Sequence, residues 1–252
     1  MRINRFIALA GLTSRRDAET YVKDGRVKVN GNVISDLATK VDPIKDKITV
    51  DGKRVALKNY VYFLMNKPKN TITTTRDPEG RKTVMDLMQT VTDERVFPVG
   101  RLDRNTTGLL IFTNDGELAE TLTHPSNNVK KLYHVKLDTD FVTDDLGVLR
   151  EGIELEDGFI KADKVDYVEN RPFNEVGIEI HSGRNRIVRR MFEHLGYKVI
   201  GLDRTSFGPL TKKLLPRGKV RHLTEKEVSF LKMIRPARKK RKPKSSGRNK
   251  TA

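Results

Sequence analysis

The sequence has no cysteine and only five histidines among its 252 residues. The absence of cysteine excludes disulfide bonds, thiolate nucleophiles, iron–sulfur clusters and cysteine-rich zinc sites. The histidines occur singly, without the HxH or HExxH spacing of common metal sites, at His124, His134, His181, His194 and His222. The sequence therefore predicts no bound metal.

Long apolar runs are also absent. No run approaches the roughly 20 apolar residues that a helix needs to cross a bilayer. The N-terminal sequence MRINRFIALAGLTSRR contains an apolar stretch that is too short and too interrupted for a secretory signal. We therefore expect a soluble, cytoplasmic protein without a membrane partner and, by default, a monomer. Its length suits one medium domain with a small appendage, or two small domains.

Acidic residues are scarce relative to basic ones, and the net charge is +17. Residues 235–252 carry nine Lys or Arg and no acid, so we expect this tail to be disordered. The tail is either a solubilising extension or an arm that binds a polyanion. The rest of the chain is also net positive, which favours the polyanion, because each contacted phosphate releases counterions.

The first fifty residues have the pattern of a small helical and β module. Apolar residues with the spacing of an amphipathic helix occur at Ile3, Phe6, Ile7 and Ala10. We expect this helix to end at Gly11 and a second helix to begin at Ser14, whose hydroxyl can cap the first turn. Asn30-Gly31 is a strong type I′ turn signal and predicts a β-hairpin.

Basic residues are concentrated in this module, at Arg2, Arg5, Arg15, Arg16, Lys23, Arg26 and Lys28. One interpretation is an ordinary solvated face. The sequence SRRDAETYVKDGRVKVNGNVI, however, resembles the small RNA-binding module named after ribosomal small-subunit protein S4. The resemblance covers about residues 2–51 and implies that residues 1–58 form an RNA-binding module.

Residues 59–234 have the pattern of a larger α+β domain. Apolar strand patterns occur at residues 95–99, 109–113, 132–137, 159–168 and 175–181. Helical patterns are fewer and occur at residues 117–123, 144–150, 185–195 and 225–233. Strands that are joined mainly to other strands favour a mixed, mostly antiparallel sheet with irregularly interspersed helices.

The segment GRLDRNTTG places one acid, Asp103, between Arg101 and Arg104 on a loop that joins two apolar runs. Two interpretations of Asp103 fit this segment. It caps a turn and pairs with a neighbouring arginine, as many aspartates do, or it is a reactive carboxylate. Flanking cations favour the ionised form even when the group is partly desolvated, and a nucleophile or base requires that form.

Three ordered segments together resemble the pseudouridine synthases that modify ribosomal RNA and carry an RNA-binding module in front of the catalytic domain. The segments are GRLDRNTTGLLIFTNDG, KLYHVKL and SGRNRIVRRMFEHLGYKVIGLDRTSFGPL. The resemblance covers about residues 61–231. It implies that a uridine already in RNA is isomerised: the base is detached, turned and rejoined to the ribose through a carbon. Such a reaction neither oxidises the substrate nor consumes energy, so no cofactor is expected.

Two other classes of protein compete with this interpretation. A non-catalytic RNA-binding or ribosome-assembly protein on the same scaffold fits the basic composition equally well. Asp103 separates the two, because a pure binder gains nothing from an acid among phosphate-binding arginines. A phosphodiester nuclease usually needs a metal-binding carboxylate cluster or a histidine pair, and the motif region has neither.

The resemblance also implies roles for individual residues. Asp103 is the essential residue, and it either attacks the sugar or removes a ribose proton. Arg101 helps to evert the nucleotide, with a surface phosphate contact as the alternative. Tyr133 packs on the uracil ring, although an aromatic residue in a strand is more often part of the core.

The third segment supplies further cations for the site. The family forms a salt bridge from one basic side chain of this motif to the catalytic aspartate, and the best match is Arg189. Arg184 and Arg186 are then expected to bind phosphates, with a solvated cationic helix as the alternative. The GRNR form, instead of the GRYHQ form of small-subunit enzymes, favours large-subunit ribosomal RNA as substrate. Small-subunit RNA and transfer RNA stay open, and the target uridine is not identified.

Overall fold

A computed structural model describes residues 1–234. The expected disordered tail, residues 235–252, lies outside the described residues. Within residues 1–234, no helix has the length and apolar character needed to span a membrane.

The first part of the chain is a helical hairpin packed on a small sheet. It contains α1 (Ile3–Leu9), α2 (Arg15–Lys23), β1 (Val27–Val29), β2 (Asn32–Val33), β3 (Ile48–Val50) and β4 (Lys53–Val55). The strands are antiparallel in the order β2-β1-β3-β4. The Ser14 hydroxyl accepts the Asp17 amide at 3.1 Å and caps α2 as predicted. Asn30 and Gly31 both have positive φ, as a type I′ turn requires.

The first part touches the larger part through ion pairs. Arg5 lies 2.5 Å from Glu117, and Lys58 lies 2.9 Å from Glu94. The predicted division after residue 58 stays a prediction.

A nine-stranded sheet forms the centre of the larger part. Its strands are β5 (Tyr62–Lys67), β6 (Phe97–Val99), β7 (Thr107–Thr113), β8 (Lys131–Leu137), β11 (Lys164–Tyr167), β12 (Glu175–Ile180), β13 (Val199–Phe207), β14 (Leu210–Thr211) and β15 (Val220–His222). The main order is β11-β12-β8-β13-β7-β5-β15, with β6 on β7 and β14 on β13. The β13–β7 pair is parallel and the other pairs are antiparallel. The predicted α+β class with a mostly antiparallel sheet is confirmed.

Five helices and a hairpin surround this sheet. The helices are α3 (Val84–Met88), α4 (Gly116–Thr123), α5 (Thr143–Glu151), α6 (Ile187–His194) and α7 (Glu225–Met233). The separate hairpin consists of β9 (Ile153–Leu155) and β10 (Gly158–Ile160). A 3₁₀ turn, Pro125–Asn127, follows α4.

Two strands differ from the sequence prediction. The pattern over residues 159–168 predicts one strand, but β10 ends at Ile160 and β11 begins at Lys164, because the chain passes there from the hairpin to the main sheet. The sequence pattern does not predict β13, since Gly201, Asp203 and Arg204 interrupt its apolar residues. β13 is nevertheless the longest strand, and it lies between β8 and β7.

The centre of the sheet is buried on both faces. All seven residues of β7 are buried, and its four central residues alternate between two apolar clusters. Leu110 and Phe112 belong to one cluster, and Leu109 and Ile111 to the other. The loop that carries Asp103 therefore enters a rigid strand.

Lys67 holds the Asp103 loop in place through hydrogen bonds to its backbone. It ends β5, is fully buried, and donates from its Nζ to four backbone carbonyls, those of Pro68 (3.2 Å), Asp103 (3.0 Å), Arg104 (3.3 Å) and Thr106 (2.8 Å). Burial lowers the pKa of its ammonium to about 8. Three of the four carbonyls belong to the loop, so Lys67 sets the course of the backbone around Asp103.

Replacing Lys67 by Met should leave these carbonyls without their donor. Each unsatisfied buried polar group costs about 1–3 kcal/mol, so we expect the free energy of unfolding to fall by roughly 2–4 kcal/mol. Amide hydrogen exchange should accelerate in residues 101–106. Lys69→Met is the matched control, because Lys69 is exposed and its side chain makes no hydrogen bond within residues 1–234. Equal urea midpoints for both variants would contradict the role of Lys67.

Gly108 allows β7 and β13 to pair closely. Its φ is +105°, and a Cβ atom there would collide with the backbone nitrogen and oxygen of Arg204. Gly108→Ala should therefore cost more than about 3 kcal/mol in unfolding free energy. Gly147→Ala is the control, because Gly147 lies within α5 with open space around it. This variant should gain up to about 1 kcal/mol in unfolding free energy. Thermal unfolding by circular dichroism checks both, and an unchanged midpoint for Gly108→Ala would refute the close approach.

Candidate active site

A cavity of about 440 Å³ lies between the Gly100–Gly108 loop, β8, β13 and the start of α6. Five of the six residues proposed from the sequence line it, namely Arg101, Asp103, Tyr133, Arg184 and Arg186. The sixth, Arg189, lines a neighbouring hollow of about 510 Å³, which shares Asp103 and Arg186 with the first. The fold thus gathers these residues around one acid.

Asp103 pairs with Arg186 across the cavity. The Arg186 Nη1 lies 3.7 Å from the Asp103 Oδ2, and the side chains are 46% and 38% exposed. Arg186 has a φ of +47° immediately before α6, a conformation that costs a non-glycine residue about 1–3 kcal/mol. The ion pair is long and partly solvated, so the carboxylate stays accessible to a ligand in the cavity.

Arg189 does not occupy the position that the sequence predicts. Its Nη1 donates to the carbonyl of Val199 at 2.7 Å, and only 9% of the residue is exposed. Within residues 1–234, the ion pair to Asp103 comes from Arg186 and not from Arg189. α6 begins at Ile187, and Arg189 is among the buried residues of this helix. Burial and the charge of Arg186 lower the pKa of Arg189, while Asp103 opposes that shift.

Arg184 is held by the β9–β10 hairpin. It donates to the carbonyls of Gly158 (2.7 Å) and Phe159 (2.8 Å) and lies 3.4 Å from Asp157. Arg190 binds the same aspartate at 2.6 Å and lowers its pKa to about 2. Arg184 therefore connects the hairpin to the cavity wall, and only part of its donor capacity is available to a phosphate.

Tyr133 and Arg101 differ in solvent exposure. Tyr133 lies on β8 and is 9% exposed, whereas Arg101 is exposed at the loop. Both line the cavity. An enclosed aromatic ring suits a stacked base, and an exposed guanidinium suits a phosphate.

Sequence reasoning missed three cations around the site: Lys67, Lys131 and Arg204. Lys131 and Arg204 line the cavity, and Lys67 lies beneath its loop. A usable signal was present for Lys67 alone, because it ends an otherwise apolar strand pattern, where an unpaired charge is costly. Within residues 1–234, no group of three or more histidines and acids is placed to hold a metal.

Comparison with known proteins places both parts of the chain. The RNA pseudouridylate synthase family model matches residues 61–194, and the S4 domain model matches residues 1–43. A solved structure described as a pseudouridylate synthase aligns over 92% of this chain and 99% of its own, with a TM-score of 0.65 and 27% identity.

Relatives in sequence cover nearly the whole chain. An uncharacterized RNA pseudouridine synthase of Aquifex aeolicus is 43% identical over 92% of this chain and 93% of its own length. The ribosomal large subunit pseudouridine synthase B of Bacillus subtilis is 41% identical over 92% of this chain and 96% of its own. With the S4 domain in front and the synthase domain behind it, the chain belongs to the RNA pseudouridine synthases.

Proposed function

We propose that this enzyme isomerises a uridine of large-subunit ribosomal RNA to pseudouridine, with Asp103 as the reactive group. The observation that carries the proposal is a cavity lined by one carboxylate, that of Asp103, by an aromatic ring, Tyr133, and by several cations. Its volume is in the range in which proteins bind single small molecules. A paired uridine must therefore leave its helix to enter, at a cost of a few kcal/mol.

Asp103 acts on the ribose of the everted nucleotide, by attack on the sugar or by removal of a ribose proton. Both routes require an ionised carboxylate within reach of the substrate. Arg186 places a positive charge 3.7 Å from the Asp103 carboxylate. Arg189 contributes positive potential from the adjoining hollow, where its guanidinium is held on a backbone carbonyl.

Tyr133 stacks on the uracil, a contact worth about 1–3 kcal/mol per base. Arg101 is exposed beside the cavity, so it contacts a flanking phosphate or fills the gap that the everted base leaves. Arg184 keeps the cavity wall in place through its hairpin contacts and offers its remaining donors to the RNA backbone.

Large-subunit ribosomal RNA is the substrate that the relatives' names favour. The Bacillus subtilis relative is named as a large-subunit enzyme, and a Vibrio cholerae protein of the same name is 37% identical over 92% of this chain. The GRNR form of the third motif, residues 183–186, agrees with that choice.

Replacing Asp103 by Asn should abolish the reaction and preserve RNA binding, because the amide keeps the shape of the carboxylate but cannot act as nucleophile or base. We expect no tritium release from large-subunit transcripts labelled at uridine C5, with the RNA dissociation constant changed less than about threefold. Wild-type enzyme should release tritium from large-subunit and not from small-subunit transcripts. The control is Asp144→Asn, an exposed acid on α5.

Undiminished release by Asp103→Asn would refute the catalytic assignment. Release from small-subunit transcripts alone would refute only the choice of substrate.

The S4 domain presents an exposed set of cations. Arg5 pairs with Glu117, and Arg26 pairs with Asp51. The other five cations among residues 2–28 form no ion pair within residues 1–234 and are exposed: Arg2, Arg15, Arg16, Lys23 and Lys28. We infer that these five contact RNA phosphates.

Replacing Arg15 and Arg16 together by Gln should weaken RNA binding and flatten its salt dependence. Loss of two phosphate contacts should reduce the slope of log K against log salt by about 1.4–1.8. The control is Lys161→Gln with Lys164→Gln, two exposed cations beside and on the edge strand β11. Filter binding at several salt concentrations provides the slopes, and equal slopes for the two double variants would argue against a phosphate-binding role for α2.

A further inference from the structure

The sheet side of the cavity carries two cations that the proposed function does not use. Arg204 on β13 lies directly opposite Tyr133 on β8, and Lys131 on β8 lies opposite Phe207 on β13. Residues paired in this way project from the same side of a sheet. All four line the cavity.

Arg204 is buried without a matching acid. It is 3% exposed, and its Nε donates to the carbonyl of Leu109 at 2.7 Å. Its Nη2 is enclosed and has no acceptor, and no carboxylate lies within 4 Å of the guanidinium among residues 1–234. A guanidinium carries five N–H donors, and leaving a buried one unpaired is costly. An acceptor that enters from the cavity would supply the missing hydrogen bond.

Lys131 adds a second positive charge to the same surface. Its Nζ donates to the carbonyl of His181 at 2.8 Å, and within residues 1–234 it pairs with no acid at contact distance. Burial, with the nearby charge of Arg204, lowers the pKa of its ammonium to about 8. Two cations that repel each other favour the binding of a negatively charged ligand.

The isomerisation generates negative charge on the uracil base. When the bond from the ribose carbon to N1 breaks, its electron pair stays on the base, and the charge spreads over N1 and the two carbonyl oxygens. Asp103 either bonds to the ribose carbon or takes a ribose proton, so the base is an anion in both routes. C5 then attacks the ribose carbon: in the first route this attack displaces the Asp103 carboxylate, and in the second Asp103 returns the ribose proton. The C5 proton leaves and N1 gains a proton from solvent, so the product carries its hydrogen on N1 instead of C5.

We propose that Arg204, assisted by Lys131, binds the carbonyl oxygens of the uracil and stabilises the detached base as an anion while it turns. This inference rests on the proposed function. Donors fixed in a buried site are most effective where charge develops in the reaction, because they need not reorganise. The same contacts retain the free base, which would otherwise diffuse out of the cavity.

A backbone phosphate is the competing ligand for these cations. Two observations favour the base. Arg204 is paired with Tyr133, the residue assigned to stack on the uracil, and it is buried. The exposed Arg101 and Arg104 are better placed for phosphates, since the backbone of an everted nucleotide stays near the surface.

The test compares Arg204→Met and Lys131→Met on RNA with uridine or 5-fluorouridine at the target. Fluorine withdraws electrons and makes the base a better leaving group, so it needs less stabilisation. We expect single-turnover consumption of the target nucleoside, measured by mass spectrometry of nuclease digests, to fall about 100-fold for Arg204→Met with uridine. With 5-fluorouridine the loss should be at least about tenfold smaller, and Arg204→Lys should recover part of the rate.

Equal losses on the two substrates would overturn the proposal, as would weakened RNA binding with a flatter salt dependence, which indicates a phosphate contact. If Arg204→Met does not fold, Lys131→Met provides the test instead, because Lys131 is only partly buried and its replacement disturbs the fold less. The exposed Arg171→Met is the control and should match wild type. Asp103→Asn in the same assay distinguishes failure of the proposed function from failure of this inference. An active Asp103→Asn variant would contradict the proposed function. If Asp103→Asn is inactive and Arg204→Met loses equal activity on both substrates, only this inference is overturned.

Discussion

One row of residues across the central sheet determines where Asp103 lies. Lys67 on β5 pairs with Gly108 on β7, which pairs with Arg204 on β13, which pairs with Tyr133 on β8. Lys67 holds the carbonyls of the Asp103 loop, and Gly108 lets the parallel strands approach. The reactive loop and the surface that faces it are therefore positioned by the same set of backbone hydrogen bonds, which are buried on both faces of the sheet.

The cations of the site fall into two classes with different physical consequences. Arg101 and Arg104 are exposed, so salt screens them, and they suit the steering and binding of RNA. Lys67 and Arg204 are buried, where screening is weak and an unpaired donor is costly. RNA affinity and the chemical step can for this reason respond differently to ionic strength, although both depend on positive charge around a single acid.

The third motif, which begins at residue 182, shows which features of a site can be predicted from a sequence pattern and which cannot. Its arginines were recognisable, and the helix was predicted over residues 185–195. The helix instead begins at Ile187 and leaves Arg186 in the left-handed region. That shift decides which arginine meets Asp103, because Arg186 reaches across the cavity while Arg189 lies on the buried side of α6. The start of a helix depends on tertiary contacts that spacing does not encode.

The α+β class, the family and the acid on its loop can all be predicted from the sequence, because apolar periodicity and contiguous motifs are carried by neighbouring residues. Which cations are engaged and which are free depends on the tertiary structure. Arg184 is held by Asp157, 27 residues away, and Lys67 by the Thr106 carbonyl, 39 residues away. β13, whose charged residues conceal it in the sequence, places Arg204 beside Tyr133. Such pairings depend on strand order and register, which no local pattern specifies.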